Sequence, residues 1–130
     1  MSIEKMIAEH PHVAPSTNNE SLGLAVKHAM YCAAICNSCA DACVAETMDM
    51  SQCIRLCSDC ADVCEATARL GLRRSGSNDA VLREMLEFCA RTCDACAAEC
   101  DKHDHEHCKL CAIMCRECAE DCRKAAASLS

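Results

Sequence analysis

The chain has 130 residues, of which 17 are cysteine, against one phenylalanine, one tyrosine and no tryptophan. Its hydrophobic share of 52% consists heavily of Cys and Ala, so the core buries little large apolar surface and needs a further source of stabilisation. The net charge of −7 excludes the basic face that nucleic acid requires.

No stretch reads as a membrane span, and the opening MSIEKMIAEH lacks an apolar signal core and a cleavage site. The expectation is a cytoplasmic chain with neither nucleic-acid nor membrane partners, in a compartment that keeps thiols reduced. The odd cysteine count also argues against a disulfide framework.

In chain order, residues 1–15 read as an N-terminal arm, with Ile3, Met6 and Ile7 on a short amphipathic turn. The run His10-Pro11-His12-Val13-Ala14-Pro15 separates it from a bundle domain over 16–130. Ser16, Asn18 and Asn19 offer N-caps for a first long helix near 20–47. Thr47 to Ser51 is a tight connection into a second helix near 50–70, closed by Gly71. The loop Arg73–Asn78 leads to a third helix near 79–101, and Asp101–Glu106 to a fourth near 105–127. Connections this short favour antiparallel neighbours, so the predicted fold is all-α, an up-down-up-down four-helix bundle.

Each long helix carries one copy of C-x3-C-x2-C-A-x2-C. The four sets are Cys32, Cys36, Cys39 and Cys43; Cys53, Cys57, Cys60 and Cys64; Cys89, Cys93, Cys96 and Cys100; and Cys111, Cys115, Cys118 and Cys122. Cys108 precedes the last set by three residues. At about 100° per residue, offsets of about 0, 4, 7 and 11 fall within about 60° of one another. The thiols therefore make a stripe where a bundle helix carries its core residues, and the antiparallel bundle becomes a cysteine-lined tube. Simple alignment predicts layers of Cys32, Cys64, Cys89, Cys122; of Cys36, Cys60, Cys93, Cys118; of Cys39, Cys57, Cys96, Cys115; and of Cys43, Cys53, Cys100, Cys111, with Cys108 beyond them.

Cysteine as a small hydrophobe explains any one of these positions but not all of them, because four facing stripes leave the axis underfilled. Pairs at i, i+3 or i, i+4 on one helix are poorly oriented for disulfides. Metal ligation remains. Four-thiolate zinc carries a net charge near −2 per site, and stacking such sites in a core without Lys or Arg on the stripes is costly. Copper(I) prefers thiolates and accepts two or three of them. Bridging thiolates balance Cu(I) about one to one, which predicts multiple ions per chain, close to the thiol count. A zinc store or a general thiolate metal buffer is the alternative. An enzyme is not expected, since no pocket with a base and an oriented partner is evident.

The fourfold C-x3-C-x2-C-A-x2-C pattern over roughly residues 20–127 resembles the bacterial copper storage proteins, and the absent signal peptide resembles their cytosolic branch. The resemblance implies a four-helix bundle storing Cu(I), all 17 cysteines as ligands, a homotetramer, and His or Met at an open end.

Extending the stripes at about 100° per residue places His103 and His107 as ligands at the end holding the first-to-second and third-to-fourth connections. Cys108 belongs to that end, with His105 and Met50 as weaker candidates. The other end meets Ala25, Ala29, Leu82, Leu86, Ala125, Ala126 and Leu129, an apolar plug, with His28 and Met85 expected as core residues. Metal is expected to load from the histidine end.

Overall fold

The fold was analysed in a computed structural model, which describes residues 2–13 and 20–129. The expected caps Ser16, Asn18 and Asn19 lie outside the described residues. Five helices follow in order: α1 (Ile3–Ala8), α2 (Glu20–Val44), α3 (Ser51–Gly71), α4 (Asp79–Cys100) and α5 (Glu106–Ser128). Long helices pack in the pairs α2 with α3, α3 with α4, α4 with α5, and α5 with α2. That closed ring is the expected four-helix bundle.

Predicted and observed helices differ most at the end of α2, which stops at Val44. The amides of Ala45 and Glu46 donate to the carbonyls of Ala42 and Cys43, at 3.1 and 3.2 Å. These i−3 bonds tighten the last turn and end the helix. Asp49 then receives the Ser51 amide at 2.9 Å, satisfying a free donor at the start of α3.

The core has two parts. One is the column of cysteines. The other is an apolar end at the α3–α4 connection, where Leu22, Ala25, Ala29, Leu82, Leu86, Ala125, Ala126 and Leu129 are all buried. The expected plug is therefore present. His28 is not part of it, since its side chain contacts Asp121 and Glu117 on α5. Met85 is only half-buried.

The arm docks at the same end. Ile7 is buried and Ile3 packs against the core, whereas Met6 is 67% exposed, contrary to the sequence expectation. In so short a helix the buried stripe has room for Ile3 and Ile7, four residues apart, but not for a third side chain one step away. Gly23 permits the close approach, since a Cβ there would lie 2.5 Å from Glu4 Cγ. His12 Nδ1 accepts the Gly76 amide at 2.9 Å, so the arm also meets the α3–α4 loop. Gly76 has φ +69°, a backbone conformation that glycine adopts without penalty.

Replacing Leu82 or Leu86 with Ala is expected to destabilise the metal-free bundle by about 2–5 kcal/mol, the range for large-to-small changes in a core. Thermal unfolding measures this, and the rate of metal uptake is expected to stay at the parental value.

Candidate metal centre

All 17 cysteines are buried and none is disulfide-bonded. The sequence pattern puts them inside because each stripe is the face its helix turns toward the three others. Sulfur meets sulfur along helices and between them. Cys32 and Cys36, one turn apart on α2, are 3.7 Å apart. Cys36 reaches Cys111 at 3.7 Å and Cys115 at 3.5 Å across the α2–α5 seam. Cys64 reaches Cys89 at 3.7 Å and Cys93 at 3.6 Å across the α3–α4 seam. Cys57 joins three helices through Cys96 at 3.7 Å, Cys100 at 3.8 Å and Cys111 at 3.9 Å.

Several sets of four donor atoms lie mutually within 4.8 Å. They include Cys32, Cys64, Cys93 and Cys118; Cys32, Cys36, Cys60 and Cys115; Cys36, Cys96, Cys111 and Cys115; and Cys39, Cys53, Cys57 and Cys100. Cysteines recur from one set to the next, so the sets are stations on one continuous column.

The α3–α4 register matches the simple alignment, and the aligned α4–α5 pairs Cys93 with Cys118 and Cys96 with Cys115 are also present, but α5 is displaced against α2 and α3. Cys118 gathers with Cys32, Cys64 and Cys93, where Cys122 was aligned with Cys32 and Cys64. Cys108 is not beyond the last layer; it forms a set with Cys39, Cys43 and His107. The reason is where the helices begin. Cys53 is the third residue of α3 and Cys108 the third of α5, so both stand at the same height above their connections. Cys111 is one turn-fraction further, about 4.5 Å at 1.5 Å per residue. Cys122 stays beside Cys89, its aligned partner, at the apolar end, 3.9 Å from Cys118.

The two histidines singled out from sequence have different surroundings. His107 Nδ1 is 3.3 Å from Cys39 Sγ and 3.6 Å from Cys108 Sγ, and its Nε2 is 2.9 Å from Glu46 Oε2. His103 Nε2 instead bonds Glu99 Oε2 at 2.8 Å, and among the described residues no thiol hydrogen-bonds its ring. His105 stacks on His107, with ring centroids 5.5 Å apart and planes 4° apart. Met50 is buried at the start of α3. Sequence reasoning missed Glu46. Its contact spans 61 residues of chain, which no local pattern records.

A groove of about 380 Å³ on the α2–α5 seam reaches this corner, lined by Cys39 and His107 together with Ile35, Leu110, Ile113 and Met114. At the connection end the column is followed by the half-buried ring of His107, while its other end is closed by aliphatic side chains.

The thiols differ in how readily they ionise. Cys115 beside Cys60 draws its thiol down to about 7. Cys100 pushes Cys39 up, but Cys111 and Cys57 outweigh it and bring Cys39 down to about 6. Burial pushes Cys43, Cys53 and Cys108 upward. The thiols are therefore unequal in acidity, and an arriving metal displaces the protons they still hold. Cys39 raises the His107 imidazole above its ordinary 6.5, with Glu46 adding to the shift against burial.

Close buried thiols in a ring of four helices define a multinuclear store for a soft metal ion, with a polar mouth and an apolar floor. The copper storage protein family model matches residues 18–127, and the chain belongs to that family.

It is similar to the copper storage protein Ccsp of Streptomyces lividans loaded with 10 copper equivalents, at 37% identity and TM-score 0.92 over 97% of this chain and 98% of that one. A five-copper structure of the cytosolic protein from the same organism is 42% identical, at TM-score 0.82 over 84% and 94%. The Cu(I)-bound copper storage protein 3 of Bacillus subtilis is 36% identical, at TM-score 0.75 over 82% and 99%. The cysteine-rich protein YhjQ of Bacillus subtilis (strain 168) is 41% identical over 96 residues, 74% of this chain and 87% of its own length.

The raised His107 value fixes the sign of a pH effect. The folded state holds this proton more tightly than the unfolded chain, so the stabilisation is complete below about 6.5 and is lost as pH rises through the raised folded value. His107→Ala is therefore expected to lower the melting temperature of metal-free protein more at pH 6 than at pH 8.5.

Proposed function

We propose that this chain is a cytoplasmic store that sequesters many Cu(I) ions through bridging thiolates in the core of its four-helix bundle. The observation that carries the reading is the recurrence of shared cysteines through successive four-donor sets. A thiolate between two sites can bridge two ions, and one Cu(I) per thiolate leaves the interior neutral. Isolated zinc cages of four thiolates would each leave a charge near −2, with no basic side chain in the column to offset it. The S. lividans and B. subtilis relatives hold copper in the same fold, and the cytosolic placement follows the S. lividans relative.

All 17 cysteines are assigned as ligands, and His107 as the imidazole ligand of the mouth. His103 is assigned an outer, transient role, since its Nε2 is held by Glu99. The assignments involve no turnover, so the chain is read as a binding protein and not an enzyme. Residues 1–15 serve as an arm on the storage domain of 16–130.

The chain is further assigned as a homo-oligomer, a tetramer by family resemblance. Exposed Tyr31, Ile35, Phe88, Leu110 and Ile113 supply apolar surface for it. Light scattering behind size exclusion is expected to give four chains.

Anaerobic titration of reduced protein against a competing Cu(I) chelator is expected to saturate near one ion per thiol. Saturation at one or two ions defeats the storage assignment, and a preference for about four Zn ions would install the zinc alternative. In stopped-flow uptake, His107→Phe is expected to slow loading more than His103→Phe, with final capacity almost unchanged in both.

A further inference from the structure

Glu46 lies in the connection between α2 and α3, and His105 and His107 open α5. One carboxylate oxygen joins the two connections. Glu46 Oε2 is 2.9 Å from His107 Nε2 and 3.3 Å from His105 Nδ1. The other nitrogen of His107, Nδ1, faces Cys39 Sγ at 3.3 Å and Cys108 Sγ at 3.6 Å. A neutral imidazole has one N–H and one lone pair, and the hydrogen bond made by one nitrogen sets the state of the other. A carboxylate can only accept, so the nitrogen facing Glu46 carries the hydrogen.

We propose that Glu46 is the positioning residue of the mouth: by accepting the Nε2 hydrogen of the neutral His107 ring it keeps Nδ1 bare beside Cys39 and Cys108, where an incoming Cu(I) ion is taken between nitrogen and sulfur. The proposal rests on the assignment of His107 as a mouth ligand. Without the carboxylate, the thiol sulfurs become the strongest acceptors near the ring. The hydrogen then moves to Nδ1, and the lone pair faces away from the column. His105 contributes the stacked second ring that limits rotation of the first. His103 provides the contrast within the same loop. Glu99 holds its Nε2 in the same way, at 2.8 Å, yet among the described residues no thiol hydrogen-bonds that ring, so nothing is gained by freeing its other nitrogen.

The test uses the full reduced chain and Cu(I) delivered from a chelator, in four forms: parental, Glu46→Ala, His107→Ala and the double variant. Outer partners of metal-bound histidines are worth about 10–100-fold. Glu46→Ala is therefore expected to slow the first uptake phase about tenfold and leave capacity unchanged. In the His107→Ala background the same substitution is expected to have no further effect, because Glu46 acts through the ring.

Long-range 1H–15N spectra of the metal-free chain supply an independent readout. His107 is expected with hydrogen on Nε2 in the parental chain, and a population with hydrogen on Nδ1 is expected in Glu46→Ala. An equal slowing in both backgrounds would show that Glu46 merely attracts cations, and would overturn the proposal, as would an unchanged tautomer. A parental uptake rate in His107→Ala would instead defeat the ligand assignment of His107, whatever the spectra say of Glu46.

Discussion

Contact between sulfur atoms at 3.5–4.0 Å is the constraint on which the other features depend. It requires helices close enough for side chains only two heavy atoms long to meet at the axis. Alanine at Ala40, Ala61, Ala90, Ala97, Ala112 and Ala119, all buried, flanks the thiols and allows that approach. Larger residues at those positions would hold the helices apart and separate the donors. The 4-3-4 spacing then keeps each stripe on the axis for three turns, with no need for loops or bulges to present ligands.

The column is polar in function but apolar in construction. Thiols are among the most readily buried groups, and those most easily ionised are hydrogen-bonded by neighbouring thiols, so the empty bundle leaves no charge without a partner. Real charge is kept to the edge. Asp121 meets His28 and Glu117 faces the same ring, while Glu99 is paired with His103 and Lys102. The aliphatic floor supplies ordinary hydrophobic stabilisation where no metal is needed. Stability and storage therefore draw on different residues, Leu82 and Leu86 for one and the cysteines for the other.

Much of this was legible in the sequence because it is periodic. The stripes of Cys32 to Cys43 and of the three later sets state both the helices and the face each one buries, and the apolar floor follows by continuing the lines. What did not follow was axial height. The start of α5 was read to within one residue, but counting layers from the first cysteine of each set of four left Cys108 out, and its height makes it the partner of Cys43 and brings Cys118 level with Cys32 and Cys64. The unlike surroundings of the two histidines have a related cause. His103 and His107 are four residues apart, yet the first belongs to the turn and the second to a helix. Glu46 was invisible because its meaning comes from the opposite connection. Met6 was misplaced because a six-residue helix has too little length for its periodicity to decide which of two adjacent residues is covered.

If metal passes only through the proposed mouth, a tube with a floor of Leu82, Leu86, Ala125 and Leu129 at its other end would behave as a stack. What entered last would be nearest the surface and would leave first. Ions beside Cys89 and Cys122 would be separated from any acceptor by every occupied position between them and His107. The store would then hold two populations distinguished only by depth: a shallow one that exchanges with the surroundings and a deep one that moves only after the shallow one is drained. Its readiness to give up metal would depend on the order in which it was filled as well as on how much it contains.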